Sequence, residues 1–201
     1  MVYRDTQKIS EKHHPFDEGF TLVEAIIIIF IFVLASIAIT NLFIGQNSLY
    51  QFYTAEVASE GSARRIINRV TELVRASESV LTSHDFGGTV YSSDVDTLVL
   101  RLQAVDSSDQ ILANTFDYAV YYLDPSDDTK FFEKIEADSL SQRKSATRLL
   151  SESSDNVLFT YDDVDFDRVT EVGFTIDTLE TFKNRVATTT LDTLIKLRNR
   201  S

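Results

Sequence analysis

Acidic side chains stand at two places in this sequence where carboxylates can do chemistry. Glu24 is the only charged residue between positions 20 and 44, in a segment that is otherwise almost entirely apolar. Near the other end, the segment YDDVDFDRVTE carries four aspartates: Asp162, Asp163, Asp165 and Asp167. A carboxylate in an apolar segment is costly and usually marks a partner, whereas closely spaced carboxylates are ligands that Ca²⁺ takes. The elements that position these groups therefore decide what they do.

The apolar segment, residues 20–44, is long enough to cross a membrane. As a helix rising ~1.5 Å per residue it would be about 38 Å long, and the hydrocarbon core of a bilayer is about 30 Å thick. A secretory signal peptide has an apolar core of only ~7 to 15 residues, so it does not account for this length. An ordinary signal anchor accounts for the length, but not for Gly19 and Phe20 at the membrane edge or for Glu24.

The sequence GFTLVE, residues 19–24, followed by the apolar segment, resembles the prepilin cleavage and methylation motif of type IV pilins and type II secretion pseudopilins. The resemblance implies that a membrane prepilin peptidase cuts after Gly19 and that the new amino terminus, Phe20, is N-methylated. It also implies that Glu24 meets the free amino terminus of a neighbouring subunit within a filament. Asp17 and Glu18 beside the cut depart from the basic leader of the family.

Later segments extend the resemblance more loosely. DNVLFTYDD, VTEVGFTI and a terminal LRN follow one another in an order similar to that of the larger minor pilins and the J-type minor pseudopilins. The function implied is a minor subunit that is incorporated into, initiates or caps a type IV pilus or a type II secretion pseudopilus. The chain departs from many pilins in having no cysteine and no proline between Pro15 and Pro125.

Residues 45–77 are predicted to continue the helix with an amphipathic pattern. Apolar residues recur at steps of three and four, as expected for one buried helix face. They include Ala55, Ala58, Ile66, Val70 and Leu73. Glu60 and Arg64 stand four residues apart in the order that favours a surface ion pair.

Beyond residue 78 the apolar period changes to two, which is typical of strands. Six strands are predicted, at residues 97–104, 116–123, 130–135, 157–161, 169–179 and 188–197. Turns are predicted at 84–88 and 124–128, and the polar segment 138–155 is predicted as a loop with a short helix around 148–150.

The predicted fold class is α+β: a long N-terminal helix, hydrophobic and then amphipathic, packed against a C-terminal antiparallel β-sheet head. This organisation divides the chain into four parts. They are a prepilin leader (1–19), a transmembrane or filament-core helix (20–44), its amphipathic continuation (45–77) and a β-rich globular head (78–201).

The aspartate cluster invites comparison with an EF-hand loop, in which positions 1, 3 and 5 supply oxygen ligands. Arg168 stands where that loop needs glycine and Phe174 where it needs a bidentate glutamate, so the EF-hand match fails. Two interpretations remain, a calcium loop of another kind and a solvated hairpin turn. No other cofactor is predicted.

Charge and composition argue against several function classes. The formal net charge is -12, of which the leader carries -1, leaving -11 for residues 20–201; such acidity argues against direct nucleic-acid binding. The absence of cysteine excludes a thiol nucleophile or a zinc–thiolate site. His13 and His14 lie in the leader and His84 in a predicted loop, and the sequence has no nucleophile-elbow, HExxH or P-loop spacing. We therefore predict no catalytic residues and no enzyme activity.

Basic residues predict the orientation. Arg4, Lys8 and Lys12 precede the apolar segment, and the next basic residue is Arg64, so the positive-inside rule places the amino terminus in the cytoplasm and the head outside. The predicted location is the cytoplasmic (inner) membrane and then a pilus or pseudopilus. The predicted partners are the prepilin peptidase and methyltransferase, the membrane, and other pilin or pseudopilin subunits through the N-terminal helix. Two alternatives remain: a single-pass, membrane-anchored extracytoplasmic binding or sensor domain that does not assemble, and a secreted hydrolase.

Overall fold

The structure, a computed structural model, describes residues 21–198. These residues form helix α1 (Leu22–Ala76), ten strands and one 3-10 turn (Phe166–Arg168). The strands are β1 (Ser77–Val80), β2 (Ser83–Asp85), β3 (Val90–Ser92), β4 (Leu98–Val105), β5 (Ile111–Asp124), β6 (Asp127–Glu136), β7 (Ala146–Ser151), β8 (Ser154–Tyr161), β9 (Glu171–Phe182) and β10 (Arg185–Lys196). The α+β prediction is confirmed.

The chain divides into two compact units, Met1–Asn47 and Ser48–Ser201, and α1 contributes to both. In the described part of the first unit, every residue of the apolar segment is exposed except Ser36, which is half-exposed. This part of α1 is long and apolar enough to cross a membrane. A helix that is apolar on all sides and buries nothing within its own unit requires an apolar surrounding.

The second unit contains two main antiparallel sheets and a small hairpin. The five-stranded sheet has the order β1-β4-β5-β6-β7, and the three-stranded sheet has the order β10-β9-β8. Strands β2 and β3 form the separate hairpin. The predicted turn at 124–128 is confirmed, because it joins the paired strands β5 and β6.

One face of α1 fills the core of the second unit together with both main sheets. Its buried residues are Ala55, Ser59, Ala63, Ile66, Val70, Leu73 and Val74. Ala58, predicted on this face, is exposed, and Ser59 lies there instead. A buried hydroxyl needs a hydrogen bond, and Ser59 Oγ finds one by donating to the Thr178 carbonyl on β9 at 2.9 Å.

Two local predictions were wrong. Residues 148–150 belong to strand β7 rather than to a helix, because β7 pairs with the edge of β6, with Leu149 opposite Phe132. His84 lies in β2 rather than in a turn; the turn of that hairpin is at Gly87 and Gly88, whose φ angles of 67° and 96° favour glycine. In both cases tertiary pairing outweighs the polar local composition.

Candidate functional site

The start of α1 is held by a reciprocal pair of hydrogen bonds between Thr21 and Glu24. The Thr21 amide donates to Glu24 Oε2 at 3.0 Å, and the Glu24 amide donates to Thr21 Oγ1 at 3.3 Å. The Thr21 hydroxyl also donates to Glu24 Oε2, at 3.0 Å. The first amides of a helix have no partner within the helix, and this Thr-x-x-Glu capping box satisfies two of them.

This geometry gives Glu24 a local role that the sequence analysis did not identify. Its carboxylate turns back towards the amino-terminal end of the helix, where the backbone of Thr21 lies. Phe20, the residue predicted to carry the new amino terminus, is bonded directly to Thr21. Gly19 and Phe20 themselves lie outside the described residues.

Two hydroxyl side chains within the apolar segment are satisfied by the helix itself. Ser36 Oγ donates to the Phe32 carbonyl and Thr40 Oγ1 to the Ser36 carbonyl, each at 2.8 Å. A bilayer core offers no water to polar groups, so internal pairing of this kind suits a helix that resides there. Glu24 remains the only charged side chain of the segment.

The aspartate cluster forms the loop between β8 and β9. Asp162 accepts from the amides of Thr170 and Glu171 at 2.9 and 3.1 Å and from the Thr170 hydroxyl. Burial opposes the ionised form of Asp162, but these hydrogen bonds together outweigh it and lower the pKa of the carboxyl. Asp162 thus closes the base of the loop.

The side chains of Asp163 and Asp165 turn the chain within the loop, and Asp167 contributes its backbone amide. Asp163 Oδ1 accepts from the Asp165 amide at 2.9 Å, and Asp165 Oδ1 accepts from the Asp167 amide at 3.3 Å. Such Asx turns are what short polar side chains do in tight loops. Within residues 21–198, no group of three or more acidic or histidine side chains is arranged to hold a metal ion. Calcium binding stays a prediction, testable by a melting-temperature shift in millimolar calcium.

His84 packs among aromatic rings on the outer face of the five-stranded sheet. Its ring stacks on Tyr118 with 3.6 Å between centroids, and its Nε2 lies 3.3 Å from a Glu136 oxygen. Tyr122 lies on the same face, beneath Tyr91 of the β2–β3 hairpin, whereas Tyr121 is buried in the core. The tyrosines of β5 therefore divide between the two faces, as strand alternation requires.

An ion pair that was not predicted joins α1 to the five-stranded sheet. The Arg69 guanidinium donates to both oxygens of Glu133, at 2.8 and 3.0 Å, and Glu133 is completely buried. The Tyr121 hydroxyl donates to the same carboxylate at 3.0 Å. Hydrogen bonding to Glu133 raises the pKa of Arg69, while burial and then the Glu133 charge raise the pKa of Tyr121.

A signal for this pair was present in the sequence. Glu133 alternates with Phe131 and Ile135 on β6, so strand periodicity alone places it on the inward face. A charged residue at an inward position needs a partner of opposite charge. Searching the helix for a cation on its buried side leads to Arg69.

Comparison of the chain with protein-family models, with curated proteins and with solved structures found no match.

Proposed function

We propose that this chain is a minor pilin or pseudopilin subunit. It is anchored in the cytoplasmic membrane by residues 20–44 and enters a type IV pilus or a type II secretion pseudopilus after cleavage behind Gly19. The observation that carries the proposal is the junction of GFTLVE with an exposed apolar helix that begins at Leu22, immediately after the expected cut. In a prepilin the leader ends, the peptidase cuts and the apolar helix begins within a few residues of one another, and here these points all fall within residues 19–22.

The proposed mechanism uses two charges. Cleavage would create a free amine at Phe20, and Glu24 is the only carboxylate in the apolar segment. Within a filament core packed from such helices, an unpaired charge is costly, so Glu24 of one subunit paired with the amine of the next fixes their register. Energy for extraction from the membrane must come from another protein, because the chain has no P-loop.

The second unit, which contains the head and the amphipathic part of α1, fits a role outside the membrane. Residues 48–201 carry 26 acidic and 16 basic side chains, a net charge of -10. A surface charge far from zero favours solubility and opposes non-specific association. In a minor subunit such a head would stand at the filament tip or in the initiation complex.

The capping box favours a second candidate function. Because the Thr21 amide and hydroxyl already donate hydrogen bonds to the Glu24 carboxylate, Glu24 does not require a partner from a neighbouring subunit. A single-pass, membrane-anchored extracytoplasmic binding or sensor domain that does not assemble would then suffice.

Processing by a prepilin peptidase separates the two functions. Co-expression of the full chain with the peptidase should yield a protein that lacks residues 1–19 and begins with methylated Phe20, as measured by intact mass spectrometry. A Gly19→Val variant is the matched control and should retain Met1. An unprocessed wild-type chain under conditions that process a reference prepilin would contradict the pilin proposal and support the plain anchor.

A further inference from the structure

The turn between β9 and β10 is a basic hairpin tip on an acidic head. Phe182 pairs with Arg185 across a two-residue turn formed by Lys183 and Asn184. The residues from Lys183 to Val186 are exposed, Val186 to 51%. We call residues 182–186 the basic tip.

Both cations of the basic tip lack a carboxylate partner in the part of the chain that the structure describes. Lys183 Nζ lies over the Phe182 ring, 5.7 Å from its centroid, and Arg185 Nη2 donates to the Ser48 hydroxyl. Several cations elsewhere in the second unit pair with a carboxylate, as Lys196 does with Glu171 at 3.6 Å. Two such cations side by side, with no acidic residue in positions 181–186, form a local positive patch.

Lys183 also occupies a backbone conformation that does not suit lysine. Its φ angle is 55°, in the left-handed region where glycine or asparagine is favoured. A lysine there costs conformational energy, which the exposed contact between its ammonium group and the Phe182 ring offsets only in part. A residue that is locally unfavourable points to a role outside the fold.

Chain connectivity brings the basic tip close to the membrane surface. Ser48, which contacts Arg185, stands only four residues after Ile44, the end of the apolar segment. Four residues span at most about 14 Å, whatever their conformation. This distance is comparable with the thickness of the polar headgroup layer plus the length of a lysine or arginine side chain, so the basic tip can reach the headgroups. Tyr50 and Tyr53, exposed at 66% and 59%, follow at once, and tyrosine is enriched at membrane interfaces.

We propose that the basic tip binds the phosphates of anionic phospholipid headgroups and so docks the head on the membrane surface. Lys183 and Arg185 supply the charge, while Phe182 and Val186 supply apolar contact at the headgroup boundary. The inference rests on the membrane anchor of the proposed function, but not on cleavage or assembly. A subunit entering a filament must release this contact.

Depth-dependent fluorescence quenching tests the proposal on the full chain. Because the chain has no cysteine, Asn184→Cys introduces a single site for a fluorophore at the basic tip, and Ser107→Cys does so at an exposed distant turn. The proteins are reconstituted in nanodiscs of phosphatidylcholine with or without phosphatidylglycerol, containing a lipid with a nitroxide on its headgroup. A fluorophore at Val33→Cys, quenched by acyl-chain nitroxides, reports insertion.

The expected result is strong quenching at 184, weak quenching at 107, and loss of the difference at high salt. Adding Lys183→Glu and Arg185→Glu should weaken the contact by at least about thirtyfold, because each basic residue near an anionic surface contributes about 1 kcal/mol and each new glutamate is repelled by that surface. The charge-matched variant with Lys144→Glu and Lys196→Glu should leave quenching at 184 unchanged.

Three outcomes would overturn the proposal. Equal quenching at 184 and 107 in inserted protein would rule out docking. Quenching at 184 that appears only at high protein density, and is unchanged by phosphatidylglycerol, would assign the basic tip to the acidic head of another copy instead. Absence of quenching at 33 would remove the anchor, and with it both this inference and the proposed function, whereas failed processing would affect the function alone.

Discussion

The buried pair of Arg69 and Glu133 makes a sharp prediction about what holds α1 against the five-stranded sheet. Replacing Arg69 by methionine keeps the aliphatic packing of the side chain but leaves the carboxylate of Glu133, fully buried, without its two guanidinium hydrogen bonds. The next cation, Arg148, is 4.0 Å away and its side chain is 58% exposed. Little in the structure can replace the lost charge.

The size of the effect follows from what each substitution leaves behind. Removing one partner of a buried ion pair costs about 3 to 5 kcal/mol, so we expect Arg69→Met to lower the free energy of unfolding by about 3 to 4 kcal/mol. Glu133→Gln should cost less, about 1.5 to 3 kcal/mol, because the Arg69 side chain is one-quarter exposed and keeps Glu72 at 2.9 Å. The double variant with Arg69→Met and Glu133→Leu should cost less than the sum of its single changes.

Urea unfolding of the full chain in detergent measures these values. With no tryptophan present, near-ultraviolet circular dichroism of the tyrosines reports on the head. Arg64→Met is the matched control: it is the same substitution on the same helix, but its pair with Glu60 is exposed and is expected to contribute no more than about 0.5 kcal/mol. Equal costs for Arg69→Met and Arg64→Met, or strict additivity in the double-mutant cycle, would show that burial does not strengthen the pair of Arg69 and Glu133.

Further predictions concern pH, packing, strain and assembly. Burial raises the pKa of Tyr121, so stability should hold below about pH 10 and fall above it by up to about 1.4 kcal/mol per pH unit; melting curves should show a shallower fall for Tyr121→Phe. A Cβ at Gly173 would collide with Thr160 Oγ1, so Gly173→Ala should cost about 1 to 3 kcal/mol in urea unfolding, and a further Thr160→Ala should restore most of it. Lys183→Gly should raise stability by about 1 kcal/mol by relieving the left-handed conformation; no gain would argue against strain there. Glu24→Gln retains a capping residue but not the charge, so we expect filament incorporation, assayed by co-purification with filaments, to fail for Glu24→Gln as well as for Glu24→Ala; normal incorporation of Glu24→Gln would show that Glu24 acts only as a helix cap.

Periodicity predicted the helix and the long strands because burial imposes it directly. The helix was predicted from residue 20 to about 77 and is described from Leu22 to Ala76. The pair of Glu60 and Arg64 was also predicted, and it forms at 2.6 Å. Strands β1, β2, β3 and β7 were missed, since they are short or polar and owe their conformation to pairing with other strands rather than to local preference.

The candidate site was predictable in its residues but only partly in its geometry. Glu24 stands out in any reading of the apolar segment, yet the Thr-x-x-Glu spacing that makes it a helix cap was overlooked. The basic tip matches no sequence motif. Its position near the membrane end of the second unit follows from the contact between Arg185 and Ser48, which stand 137 positions apart. Contacts between residues so distant in sequence follow from topology and not from composition.

The attachment of α1 to both main sheets of the second unit has a mechanical consequence. Ser59 joins the helix to Thr178, and Arg69 joins it to Glu133. Ser59 and Arg69 stand ten residues apart, about 15 Å along the helix, and their hydrogen bonds join the helix to different sheets. Within this unit, a force along the helix is therefore shared between contacts to two different sheets, so sliding of the helix has to disrupt both of them.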